Sequence, residues 1–136
     1  MKIIITNNPM VQEKLQGQTS SAIEFHDTDY LGVLKAVRDK IHLGYRLLTH
    51  PLSGSVKPGE TPYKTIIITE EKGALHEYAL SIDEKSFSID EKSLSIIEES
   101  IQTCVKLTAK EKKRALSEKI LADFQLIDYN LIFGQI

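Results

Sequence analysis

Two rhythms of apolar and polar positions run along this chain. Ile3-Ile4-Ile5-Thr6 and Thr65-Ile66-Ile67-Ile68-Thr69 are short β-branched runs without polar alternation, and they read as buried strands. The first runs out into Asn7-Asn8-Pro9, a turn signal. Residues 10–16 suit one or two turns of helix before Gly17, and residues 22–25 form a second strand. Asp27-Thr28 then supplies a cap for a helix whose Leu31, Leu34, Val37 and Ile41 recur at helical spacing until Gly44 closes it. Residues 45–49 read as a third strand, stopped by His50-Pro51. Strand, helix, strand in this order suggests a right-handed parallel crossover.

The stretch 53–62 holds two of the four prolines and two of the seven glycines, and it leads into the run 65–69 as a fourth strand. Beyond it lies a tandem duplication, Ser81-Ile82-Asp83-Glu84-Lys85-Ser86-Phe87 followed by Ser88-Ile89-Asp90-Glu91-Lys92-Ser93-Leu94. Its seven-residue period is far below that of a solenoid, and it adds almost two whole helical turns, so it reads as tolerated length variation. Leu94, Ile97, Ile101, Cys104 and Val105 mark the buried face of a helix that ends near the basic run 110–114. Ser117 caps a last helix with Ile120, Leu121, Phe124, Ile127 and Leu131 facing inward. The expected architecture is a single α/β domain over residues 1–136: about four strands in a mostly parallel sheet, with helices packed on both faces.

Composition narrows the function classes. A chain of 136 residues, 41% hydrophobic and 26% charged, has the size and balance of one globular domain. Seventeen basic and nineteen acidic residues give a net charge of −2, which offers no bulk field for nucleic acid or an anionic membrane. The basic cluster at 110–114 lacks interleaved aromatics, so nucleic-acid binding ranks last. The single cysteine, Cys104, asks for no oxidising compartment, and it sits at a helix-face position where a thiol fills a core. The opening Met1-Lys2-Ile3-Ile4-Ile5 is too short in its apolar run for a signal peptide, and no stretch is long enough to cross a bilayer. A soluble, cytoplasmic protein is the expectation.

Candidate chemistry gathers where loops leave the strands, because ligands of open parallel sheets bind at the carboxyl ends of strands. Asn7 and Asn8 follow the first strand, and Thr49, His50, Ser53, Gly54 and Ser55 follow the third, with Lys57, Tyr63 and Lys64 close behind. Backbone amides, hydroxyls and a lysine in this loop have the chemistry to cradle a phosphate or carboxylate, with His50 titrating or orienting. The plain alternative is that Ser, Gly and Pro make turns and His50 satisfies a loop carbonyl. Neither a Gly-x-x-x-x-Gly-Lys-Ser/Thr loop nor Gly-x-Gly-x-x-Gly is present. Ser53 with His50 lacks both the Gly-x-Ser-x-Gly frame and a third group. His26, His42, His50 and His76 are scattered, so the pattern calls for no metal and no cofactor. Asp123 and Asp128 interrupt the apolar last helix around Gln125. Asp123 falls near the inward stripe, and the choice there is between a solvated flank and a site carboxylate.

Three blocks carry a family resemblance: Thr6-Asn7-Asn8-Pro9; Leu47-Leu48-Thr49-His50-Pro51-Leu52-Ser53-Gly54-Ser55-Val56-Lys57-Pro58 with Thr61-Pro62-Tyr63-Lys64; and Asp123-Phe124-Gln125-Leu126-Ile127-Asp128-Tyr129. Together they resemble GrdX-like proteins, small proteins encoded beside the glycine, sarcosine and betaine reductase components of amino-acid-fermenting anaerobes. The resemblance implies a setting rather than an activity. One expectation is an accessory or regulatory protein that contacts reductase components through the edge formed by Asn7, Asn8, residues 50–55 and Tyr63. The other is a site, enzymatic or not, for an anionic small molecule held by the same loop.

Overall fold

The computed structural model describes residues 2–54, 56–70, 89–110 and 116–135. Its sheet is built on β1 (Lys2–Thr6) and β4 (Thr65–Thr69), with β2 (Ala22–Phe25) and β3 (Arg46–Leu47) at the edges, in the order β2-β1-β4-β3. The two isoleucine runs are the central strands, and Ile3, Ile4 and Ile5 lie opposite Ile68, Ile67 and Ile66. A strand covered on both faces has no polar side to show, which accounts for the missing alternation.

The sheet is mixed rather than mostly parallel. β1 pairs β2 in parallel, but β4 runs antiparallel to both β1 and β3. The three strands β1, β2 and β3 therefore share a direction, and β4 is inserted against them. A parallel return needs a crossover element, usually a helix. The connection from β3 to β4 carries no helix among its described residues, and the chain re-enters the sheet antiparallel. β3 is also shorter than the expected 45–49. The amides of Leu48 and Thr49 both donate to Ile67 O, at 2.9 and 3.3 Å, while Thr49 Oγ1 accepts from Ile67 N at 3.0 Å. Ile67 is thereby satisfied on both backbone groups and the ladder stops.

Helices cover both faces. α1 (Pro9–Leu15) starts with proline in its first turn, capped by Asn8, and buries Val11 and Leu15 against Ile4, Ile67 and Ile132. α2 (Tyr30–His42) is capped by Asp29 rather than Asp27-Thr28, through a 2.8 Å bond from Gly32 N. Gly32 is required there, since a Cβ would collide with the Thr28 side chain. Val33, Leu34, Val37 and Ile41 of α2 meet Ile97, Ile101 and Cys104 of α3 (Glu91–Lys110) over Ile3, Ile5, Ile66 and Ile68. Val105 is exposed, against expectation, because it lies one position past that face. Of the duplicated heptads, residues 81–88 lie outside the described residues, as do 111–115 of the basic run.

The last helix, α4 (Glu118–Phe133), is capped by Ser117 as expected, but its buried residues are Asp128 and Ile132. Ile120 and Ile127 are exposed, while Leu121, Phe124 and Leu131 are half-buried. The apolar stripe at 120, 124, 127 and 131 is thus turned to the side of the contact, and a carboxylate faces the sheet. Among the described residues, no helix is long and apolar enough to cross a membrane.

Candidate functional site

The antiparallel insertion of β4 places its first residue, Thr65, opposite Thr6 at the end of β1. Asn7 and Asn8, which follow Thr6, and Tyr63 and Lys64, which precede Thr65, therefore share one edge of the sheet. Asn7 clamps the two segments together. Its Nδ2 donates to Thr28 O and Pro62 O, each at 2.8 Å, and its Oδ1 accepts from Lys64 N at 2.8 Å.

Asn8, with 0% exposure, links this edge to α4. Its Nδ2 donates to Gln125 O at 2.9 Å and to Asp128 Oδ2 at 3.0 Å, while its Oδ1 caps α1 at Met10 N. Thr65 Oγ1 donates to the same Asp128 oxygen at 2.6 Å. Since that uses the one proton of Thr65, the 2.7 Å contact between the two threonine hydroxyls has Thr6 as donor, and Thr6 Oγ1 accepts in turn from Asn8 N at 2.9 Å. A directed chain of donors thus ends on the Asp128 carboxylate. Burial outweighs these bonds and the charge of Lys64, and it pushes the Asp128 pKa above the usual carboxylate range.

Lys64 is the second buried charge, with 3% exposure. Its Nζ donates to Ser53 O at 2.7 Å and to Ser53 Oγ at 3.3 Å. Burial pulls its pKa down to about 8, against an opposing pull from Asp128. Lys64, Asp128, Ser53 and Tyr63 line one cavity, roofed by Phe124, Ile127 and Leu131 of α4. Its volume of about 30 Å³ holds about two waters, and it is partly open to solvent. Gln125 Nε2 donates to Tyr63 OH at 2.8 Å, fixing one wall. Gly54, at φ +107°, lets the loop pass beneath Leu131, whose Cδ2 would lie 3.0 Å from a Cβ. Tyr30 OH, donating to Pro51 O at 3.0 Å, closes the floor, and burial raises its pKa.

The residues singled out in the sequence separate into three groups. Ser53, Gly54, Tyr63 and Lys64 line the cavity, and Gln125 touches it through Tyr63. Asn7, Asn8 and Thr49 are buried, and the bonds of their side chains hold the backbone and Asp128 in place. His50 and Lys57 are exposed and do not line the cavity. His50 Nδ1 accepts from Leu52 N at 3.0 Å, a turn contact with an amide rather than with a carbonyl. Asp123 is exposed, not on the inward stripe, because the helix is rotated as described. Ser55 lies outside the described residues.

Asp128, Tyr30, Thr6 and Thr65 are the parts that sequence reasoning missed as site residues. Asp128 stands out in the sequence only as one of two carboxylates interrupting the last helix, and a carboxylate in an amphipathic helix reads as solvated. The available signal was its position three residues after Gln125 and four before Ile132, on one helical face. Cys104, inside the opposite core, has its pKa pushed up to about 11 by burial and is an inert filler. Among the described residues, no cluster of three or more His, Cys, Asp or Glu is placed to hold a metal.

Comparison with curated proteins and with solved structures returned no match. The family model of GrdX-like proteins matches residues 3–136. That span includes all three blocks joined by the hydrogen bonds of Asn7 and Asn8, and the chain belongs to the GrdX-like family.

Proposed function

We propose that this protein serves the glycine, sarcosine and betaine reductase system as an accessory or regulatory protein, working through the sheet edge built from Asn7–Asn8, residues 49–54, Tyr63–Lys64 and α4. The family supplies the setting. The observation that supports this choice of surface is convergence. Three blocks separated by up to 120 positions meet in one hydrogen-bonded network, through Asn8 to Asp128, Gln125 to Tyr63 and Lys64 to Ser53. Reductase components are the partners, in the cytoplasm of an anaerobe. Co-purification of the tagged protein from an expressing anaerobe tests this: recovery of reductase subunits supports it, and their absence, under conditions that preserve known complexes of those subunits, removes it.

The small-molecule reading survives in a narrower form. The buried ammonium of Lys64 beside the Ser53 hydroxyl suits a small anion better than the exposed His50 and Lys57 do. Thermal shifts with phosphate, acetyl phosphate, acetate and glycine, repeated on Lys64→Met, separate the two ideas. A ligand at a hundred times its dissociation constant adds about 2.7 kcal/mol.

A further inference from the structure

The cavity brings together groups that anion binding does not need. An anion site wants donors and positive charge, yet Asp128 shares the walls with Lys64, and Tyr30 and Tyr63 line the same cavity. Among the described residues the lysine has no carboxylate within salt-bridge distance, and its two bonds there go to Ser53. Phe124 and Ile127 supply an apolar roof, which keeps bulk water from solvating the ammonium. A desolvated amine that shares a partly open cavity with a carboxyl group, with room for about two water-sized groups, is the equipment for condensing with a very small carbonyl compound.

We infer that Lys64 is a reactive amine that forms an imine with small aldehydes, with Asp128 as the acid that assists loss of water. The neutral Nζ attacks the carbonyl carbon, and the π pair moves to oxygen, which gains a proton as the nitrogen loses one. The resulting carbinolamine releases its hydroxyl as water after protonation by the Asp128 carboxyl, the C=N bond forms, and the remaining N–H proton returns to the Asp128 carboxylate to leave the neutral imine. Amine and aldehyde give imine and one water, with no change in oxidation state. A carboxyl kept protonated more easily than usual and an amine freed of its proton more easily than usual are suited to these two roles. The cavity's size favours the smallest aldehydes over larger ones. This chemistry stands apart from reductase association, since it needs no partner.

The test is reductive trapping of the intact protein with acetaldehyde and cyanoborohydride at pH 7, followed by peptide mapping. Ordinary lysines titrate near 10.4, so at this pH the free-amine fraction of Lys64 exceeds theirs on the order of a hundredfold. Lys64 should be ethylated before any other lysine, with a rate rising to half its plateau near pH 8, and the map distinguishes it from the α-amino group. In Asp128→Asn, which retains hydrogen-bonding shape, Lys64 should be trapped at least tenfold more slowly, even though loss of the Asp128 charge leaves more of the amine neutral. Benzaldehyde should leave Lys64 untouched while still reaching exposed lysines. Ethylation confined to exposed lysines and the α-amino group overturns the inference, and an unchanged rate in Asp128→Asn overturns the role of the acid.

Discussion

The sheet face beneath α2 and α3 and the sheet edge where β1 ends differ in how their buried groups are satisfied. On the face, Ile3, Ile5, Ile66 and Ile68 meet Val33, Leu34, Val37, Ile41, Ile97 and Ile101, and packing is the whole interaction. At the edge, Thr6, Asn8, Thr65, Lys64 and Asp128 are equally buried, but each depends on a particular partner. An apolar face tolerates any shape that fills it, whereas a buried polar network loses the desolvation cost of every group left unpaired. Stability alone would be served at the edge by more isoleucine. The retained charges there are the ground on which we propose it as the working part of the molecule.

Substitutions can break that contrast. The largest loss is expected from Ile5→Ala, at about 4 kcal/mol, with Ile5→Val near 1 kcal/mol, measured by urea unfolding. That graded response belongs to a packed face. Asn8→Ala should cost about 3 kcal/mol, since it removes the α1 cap and strips donors from Gln125 O and Asp128 together. Asn8→Asp, nearly identical in shape, should be no better, because it sets a second carboxylate against the first. A loss under about 1 kcal/mol for either variant would reduce the edge to ordinary packing.

The pH dependence sharpens the contrast further. Folding lowers the pKa of Lys64 from 10.5 to about 8, so between these values the unfolded chain binds more protons and stability rises with pH. Relative to Lys64→Met, the wild type should gain about 2 kcal/mol between pH 8 and pH 10, the difference cancelling other titrations. The smallest effect is expected on α4: Ile127→Ala should cost less than about 1 kcal/mol, since Ile127 is 45% exposed. A loss near 3 kcal/mol would restore the inward stripe read from periodicity.

That last case indicates what the residues made legible. β2 and β4 fall where the apolar runs placed them, because β-branched runs bounded by turn residues have few other uses. The direction of β4 was hidden, since an isoleucine run buried on both faces looks the same read either way. The rotation of α4 was hidden for a sharper reason. Its most apolar stripe, 120-124-127-131, is not its buried face, because Asn8 and Thr65 hold Asp128 inward by hydrogen bonds that no hydropathy pattern records. Of the candidate site, the loop residues Ser53, Gly54 and Lys64 could be found from turn chemistry and charge. Asp128, 64 positions beyond Lys64, stood out as a break in an apolar helix, but the choice between Asp123 and Asp128 depended on the rotation of that helix.

The measurement that tests the central claim most directly is an NMR titration of the lysine side chains, following the ¹³Cε and ¹⁵Nζ signals, with Lys64→Arg for assignment. One lysine titrating near pH 8, and absent from the variant, is the expected result. If every lysine titrates near 10.5, Lys64 is solvated like the rest and the edge holds no special amine.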